Sequence, residues 1–228
     1  MLIALLMIAV LALVFGPSIW VKLVMRANAT EIPDLPGTGG ELAVHLVEQL
    51  GLDGVTVETS AIGDHYDPGA RAVRLSPGNF QSRSLTAVAV AAHEVGHAMQ
   101  HRDGDRRLAA RTRLAPLADT IAKISVYAIS AAPVIGLITR HPVPFSLLVV
   151  LGISGLAARM VVHLFTLPTE WDASFGKALP VLIEGEYISP AQQQVVKKVL
   201  RAAALTYFAA ALADILNLVR WAAIVLRR

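Results

Sequence analysis

The sequence predicts a mainly α membrane protein with about four transmembrane helices and a small α+β domain on the cytosolic side. Three observations lead to this prediction. Of the 228 residues, 55% are hydrophobic and only 16% are charged, whereas charges make up about a quarter of a typical soluble domain. Four segments are apolar over about 20 residues, the length that a helix needs to cross a bilayer. A more polar stretch, residues 27–116, separates the first of these segments from the other three.

The first predicted span is an N-terminal anchor over residues 1–26. Residues 1–21 contain no charge, and Lys22 and Arg26 follow them. A cleaved signal peptide is the alternative, because residues 27–29 (Ala-Asn-Ala) resemble a cleavage site. No basic residue precedes the apolar run, however, and a signal peptide normally begins with one. A retained anchor is therefore the preferred interpretation.

The remaining spans are predicted in residues 117–166 and 202–228. The first of these ranges holds two apolar segments that are separated only by residues 140–142, so we expect a transmembrane hairpin. The second range is interrupted by Asp214 and Arg220, and an amphipathic helix on the membrane surface is the alternative there.

Two charges are expected to lie deepest in the bilayer, Arg159 in the third span and Asp214 in the fourth. Charges inside a membrane are costly and are usually paired. We therefore expect an ion pair between these two spans.

The orientation follows from the basic residues. Lys and Arg are concentrated in residues 27–116 and 167–201, and segments rich in these residues remain in the cytosol. Both of these segments are therefore predicted to face the cytosol, and both termini are predicted to face outward.

Residues 27–116 are predicted to form the α+β domain. The apolar residues within 41–50 fit one face of a helix. Residues 55–58 and 72–75 are predicted strands with a turn between them. A further helix is expected from about residue 85 to residue 100.

That last helix carries the sequence His93-Glu94-Val95-Gly96-His97. Residues four apart lie one above the other on a helix, so both imidazoles can bind one cation. Glu94 lies beside them, where its carboxylate can reach a water bound to that cation. The apolar run 87–92 favours a buried site over two solvated surface histidines. Because the chain has no cysteine, histidine and carboxylate side chains are the expected zinc ligands.

A catalytic zinc ion needs a third protein ligand, and the same helix does not supply it. His101 lies about 12 Å along the axis from His93, too far to share one ion. The extended metzincin pattern requires glycine and histidine at the positions of Gln100 and Asp103, so that class is excluded.

Residues 167–201 offer a better third ligand, because the hairpin returns them to the side of the membrane where His93 lies. Glu170 is the preferred candidate. Asp172 is the competitor, although an acidic residue near a helix N-terminus is its simpler interpretation.

Two blocks of sequence resemble the YugP-like family of bacterial membrane zinc metallopeptidases. The first block runs through residues 64–68, 73–76, 79–80, 84 and 91–100, and the second is residues 167–174. The resemblance implies a zincin-like, gluzincin-type site with one zinc ion per chain. Its ligands would be His93, His97 and Glu170, and Glu94 would be the general base.

Three further positions are candidates for supporting roles. The related HtpX-like proteases carry a Glu-x-x-Ala-Asp block, but Ser174 stands where this Asp is expected, and Asp172 is an alternative partner for a ligand histidine. His65 and Tyr66 adjoin a predicted strand and are candidate catalytic residues that would stabilise an oxyanion. Structural hydrogen bonding in a loop is their alternative interpretation.

Together these observations predict a zinc-dependent endopeptidase, multi-pass in the bacterial plasma membrane, with its site on the cytoplasmic side of the lipid bilayer. The expected substrates are membrane proteins or membrane-proximal peptides. A non-catalytic zinc-binding scaffold or adaptor and an intramembrane site-2-type protease are the alternatives. A net charge of only +3 gives no ground for a nucleic-acid partner.

Overall fold

The computed structural model describes residues 2–226, with side chains at residues 12, 15–216 and 218. The described chain is mostly helical, as the sequence predicts. Its helices are α1 (Leu2–Ala27), α2 (Gly39–Gln49), α3 (Pro77–Gln81), α4 (Leu85–Arg102), α5 (Arg106–Thr139), α6 (Pro142–Trp171), a π-helix (Asp172–Ala178), α7 (Leu179–Glu184), α8 (Pro190–Ala204) and α9 (Thr206–Leu226). Its strands are β1 (Thr56–Thr59), β2 (His65–Asp67) and β3 (Ala72–Leu75).

Three helical segments of the described chain are long and apolar enough to cross a membrane. They are Arg106–Thr139, Pro142–Glu184 and Pro190–Leu216, and they contain much of the predicted second, third and fourth spans. The predicted first span forms α1. Apart from residue 12, the side chains of residues 1–14 lie outside those described, so this helix as a membrane anchor stays a prediction.

The chain folds into two compact units. The hairpin unit consists of Met1–Pro17, Ala110–Thr166 and Tyr207–Arg228, and the motif unit consists of Ser18–Ala109 and Leu167–Thr206.

In the hairpin unit, α5 and α6 pack closely through small side chains. A Cβ atom added at Gly152 would collide with Ile129, and one added at Gly155 would collide with Ser125. Small residues at such positions allow two helix backbones to approach each other within a membrane.

The predicted ion pair between the third and fourth spans is confirmed in this unit. Arg159 Nε lies 3.6 Å from Asp214 Oδ2, and also 3.3 Å from Asp119 Oδ1. The same Nε donates a hydrogen bond to His163 Nε2 at 3.3 Å. Asp214 is buried, so Arg159 joins α6 both to α5 and to α9.

In the motif unit, α4 is the central element, and α2, α8 and the π-helix pack against it. Its residues are buried from Leu85 to Ala98, which explains why the sequence of this helix is apolar on every side. Ser84 caps its N-terminus, since Ser84 Oγ accepts a hydrogen bond from Ala87 N at 3.2 Å. Glu41 and Thr38 form a capping box at the start of α2.

The sheet of the motif unit has the strand order β1-β3-β2. β1 runs parallel to β3, with Val57 opposite Val73, and β2 runs antiparallel to β3, with Tyr66 opposite Val73. β1 and β3 match the two predicted strands. The sequence analysis missed β2, because its three residues are too short for an alternating pattern and become a strand only by pairing with β3.

Candidate metal centre

The structure brings three buried side chains together between α4 and the end of α6. His93 Nε2 lies 3.3 Å from Glu170 Oε2, and His97 Nε2 lies 3.4 Å from the same oxygen. One ligand atom from each residue lies within 4.8 Å of the other two. All three side chains are within a few per cent of complete burial.

Both nitrogen-to-oxygen distances fit a tetrahedral zinc ion. Zinc binds nitrogen and oxygen ligands at about 2.0–2.2 Å, so neighbouring ligand atoms at a tetrahedral angle are about 3.3–3.6 Å apart. Two histidines and one glutamate form a ligand set of catalytic zinc sites, in which the fourth position stays open for water or substrate. The residues present therefore fit the ion that the sequence predicts.

His97 is held in the required orientation by Gln100, one turn along α4. Gln100 Nε2 donates to Thr169 O at 2.9 Å and to Asp172 Oδ2 at 2.8 Å. Its Oε1 must therefore be the atom that lies 2.9 Å from His97 Nδ1, and it accepts the proton of that nitrogen. The lone pair of His97 is thus fixed on Nε2, which faces Glu170.

His93 is held in the same way by Ser174, a residue of the π-helix. Ser174 Oγ donates to Leu200 O at 3.2 Å, so it accepts from His93 Nδ1, which lies 3.0 Å away. The lone pair of His93 is also on Nε2. Ser174 therefore orients one histidine, and Asp172 acts on the other only through Gln100.

The close packing of the π-helix against α4 requires Gly96, which lies between the two histidines. A Cβ atom at this position would stand 2.6 Å from Ala173 O, closer than atoms can approach. π-Helical turns are frequent at functional sites, and this one begins two residues after Glu170. Glycine at position 96 lets the backbone that follows Glu170 lie directly on the α4 helix.

Glu94 follows His93 on α4 and is only 7% exposed. It is not one of the three side chains that converge, in agreement with the expectation that it does not bind the metal itself. A buried carboxylate next to a metal site is available for proton transfer.

Comparison with known proteins agrees with this geometry. Residues 3–226 match the model of a protein family described as "Putative neutral zinc metallopeptidase". The chain belongs to this family. It is 34% identical over 217 residues to the "Putative membrane protease YugP" of Bacillus subtilis (strain 168), with 92% of each chain covered. No solved structure matches the chain. The resemblance noted in the sequence is thereby confirmed.

Like Glu94, the other two predicted catalytic residues of this zinc metallopeptidase family member, His65 and Tyr66, lie outside the group of three. Tyr66 is buried in β2, and its hydroxyl lies 2.7 Å from His101 Nδ1. Burial raises the pKa of the Tyr66 hydroxyl above its usual value. His65 Nδ1 lies 3.1 Å from Gly63 O. A catalytic role for His65 and Tyr66 stays a prediction.

Gln100 is the functional residue that the sequence analysis did not recognise. It was considered only as a departure from the metzincin pattern. Its position three residues after His97 places it on the same helix face, and this spacing is the signal that could have identified it.

Proposed function

We propose that this protein is a membrane-bound zinc endopeptidase with one zinc ion per chain. The observation that carries the proposal is the buried group of His93, His97 and Glu170, with Glu94 beside it on α4. Each of the two histidines has its Nδ1 proton engaged by a protein acceptor, so both Nε2 atoms can bind a cation without losing a proton.

The proposed mechanism assigns one task to each group. His93, His97 and Glu170 would hold the zinc ion, which would supply Lewis-acid chemistry to the site. Glu94 would accept the proton of the attacking water and then transfer it to the leaving amine. Ser174 and Gln100 keep the histidine rings in place throughout.

The proposed location is the bacterial plasma membrane, with several spans and with residues 27–116 and 167–201 on the cytoplasmic side. Three apolar helices of the described chain and a relative whose name is that of a membrane protease support it. Membrane proteins and membrane-proximal peptides are the proposed substrates, because they can reach a site beside the bilayer. α4 is not among the candidate spans of the described chain, which argues against an intramembrane site-2-type protease.

Zinc content tests the ligand set before any substrate is known. Wild-type protein purified in detergent is expected to contain about one zinc per chain by mass spectrometry, and Glu170→Ala is expected to lose most of it. Glu184→Ala is the matched control, because Glu184 is exposed on α7. Undiminished zinc in Glu170→Ala would contradict the proposed third ligand.

Glu94→Gln separates an enzyme from a zinc-binding scaffold. This variant keeps the size of the side chain but cannot accept a proton. We expect it to retain zinc and to lose cleavage of a peptide library, measured by mass spectrometry, by at least about a hundredfold. Cleavage at the wild-type rate would exclude Glu94 as the general base, and a biological effect preserved in Glu94→Gln cells would favour the scaffold.

A further inference from the structure

Helix α5 has two opposite faces with the same spacing. Every third or fourth residue on its inner face is buried: Ala118, Ala122, Ser125, Ile129 and Ala132. A second series on the opposite face is exposed and polar, and we refer to it as the outer stripe: Thr120, Lys123, Tyr127 and Ser130. Alternating steps of three and four residues are the spacing with which one helix packs along another.

The outer stripe is unusual for a helix with the length and hydropathy of a membrane span. Tyr127 is 75% exposed, and Lys123 is exposed one turn after Asp119. Charged and polar side chains are costly in lipid and nearly always face a protein partner or a water-filled space. Serine and threonine are enriched where membrane helices meet. The stripe therefore has the composition of a helix contact, although no described residue covers it.

Charge complementarity selects the partner. Residues 1–21, the apolar part of the N-terminal helix, contain no charged side chain. They therefore provide no acidic partner for the ammonium group of Lys123. A second copy of the chain carries both an acid and a base, Asp119 and Lys123, four residues apart. Asp119 lies 3.3 Å from Arg159 of its own chain, but its side chain is 54% exposed. That guanidinium is also shared with Asp214, so the Asp119 carboxylate can accept from a second base. Because two copies share one topology, their α5 helices run parallel at the same depth, where Lys123 of each copy can reach Asp119 of the other.

We propose that the outer stripe is the contact through which two copies of this chain associate in the membrane. The contact pairs Lys123 with Asp119 of the second copy, and Thr120, Tyr127 and Ser130 pack along the seam. This inference does not depend on the peptidase activity, but it requires α5 to cross the bilayer.

Disulfide cross-linking in native membranes tests the proposal without background, since the chain has no cysteine. Tyr127→Cys and Ser130→Cys lie on the stripe. The controls are Leu117→Cys, at an exposed position, and Ala128→Cys, at a partly exposed one, because both lie at least about 80° around the helix from either stripe cysteine. After oxidation, we expect at least about fivefold more cross-linked dimer at the stripe positions, where the Cα atoms approach within disulfide range. An unchanged melting temperature in each variant shows that the fold is intact.

A charge substitution tests the pairing itself. In the Ser130→Cys background, Lys123→Asp is expected to reduce cross-linking to the level of Ala128→Cys, and Lys123→Arg is expected to preserve it. Equal cross-linking at all four cysteine positions would mean random collision, and no cross-linking at Tyr127→Cys or Ser130→Cys would mean that the stripe faces water or another partner. Either result would overturn the proposal.

Discussion

Gln100 and Ser174 each accept the Nδ1 proton of one of the two histidines, and neither belongs to the group that converges on the metal position. Their contribution is to fix the imidazole tautomer and to prevent the ring from rotating. The two do so in different ways, because Gln100 is itself anchored by Thr169 and Asp172, whereas Ser174 is anchored by a single backbone carbonyl.

Replacing Gln100 should therefore weaken zinc binding without removing a ligand. We expect Gln100→Ala to raise the zinc Kd by about 10–100-fold, and Ser174→Ala to raise it less because a smaller network is lost. Competition with a fluorescent chelator measures both constants. Gln194→Ala, at an exposed position on α8, should leave the Kd unchanged, and a wild-type Kd in Gln100→Ala would show that His97 needs no such support.

The residues of the site differ in how far the sequence could predict them. The spacing of His93, Glu94 and His97 on one helix specifies their arrangement directly. Glu170 could be reached by following the chain through the hairpin. The hydrogen bond between Ser174 and His93 could not be predicted, because it joins residues far apart in sequence. It depends on how the π-helix lies on α4.

Among the elements, the π-helix matters most for the site, because it delivers Ser174 and follows directly after Glu170. Its contact with α4 leaves no room for a side chain at position 96. α9 is joined to α6 in another way, through Arg159 and the buried Asp214.

Gly96→Ala is expected to force the π-helix away from α4. Overpacking of this kind costs about 1–3 kcal/mol, so the melting temperature of the purified protein should fall by several degrees and the zinc content should fall with it. Gly78→Ala is the control, because a Cβ atom there meets nothing within 4 Å. A Gly96→Ala protein with wild-type stability and zinc content would show that this contact has room to relax.

Asp214→Leu is expected to lower the melting temperature, because it leaves Arg159 with a partner on α5 but none on α9. Removing one member of a buried ion pair is more harmful than removing both. The double variant Asp214→Leu with Arg159→Leu should therefore recover part of the loss in the same thermal unfolding assay. If Asp214→Leu melts like the wild type, the pair does not stabilise the hairpin unit.

For the whole molecule, the sequence predicted a mainly helical chain with apolar spans, and the described residues agree. Hydropathy alone was sufficient to predict the long apolar helices, because a candidate span is defined by its composition over about 20 residues. The short strand β2 and the π-helix were not predicted, since both depend on contacts with distant elements. The number of spans and their orientation remain predictions that labelling can test.

Single cysteines report the orientation, since the chain has none of its own. His141→Cys, in the turn between α5 and α6, is expected to react with an impermeant maleimide on intact cells. Glu184→Cys, in the motif unit, is expected to react only after the membrane is permeabilised. The reverse pattern would place the metal site outside the cell.

The third ligand follows the first two only after the whole α5–α6 hairpin has been synthesised. A growing chain therefore completes the His93-His97 helix early, yet it lacks Glu170 until both hairpin helices have emerged from the ribosome. The group of three side chains can therefore be completed only late in synthesis. If the protein is the zinc endopeptidase proposed above, a nascent chain that ends before residue 170 carries an incomplete site and is inert.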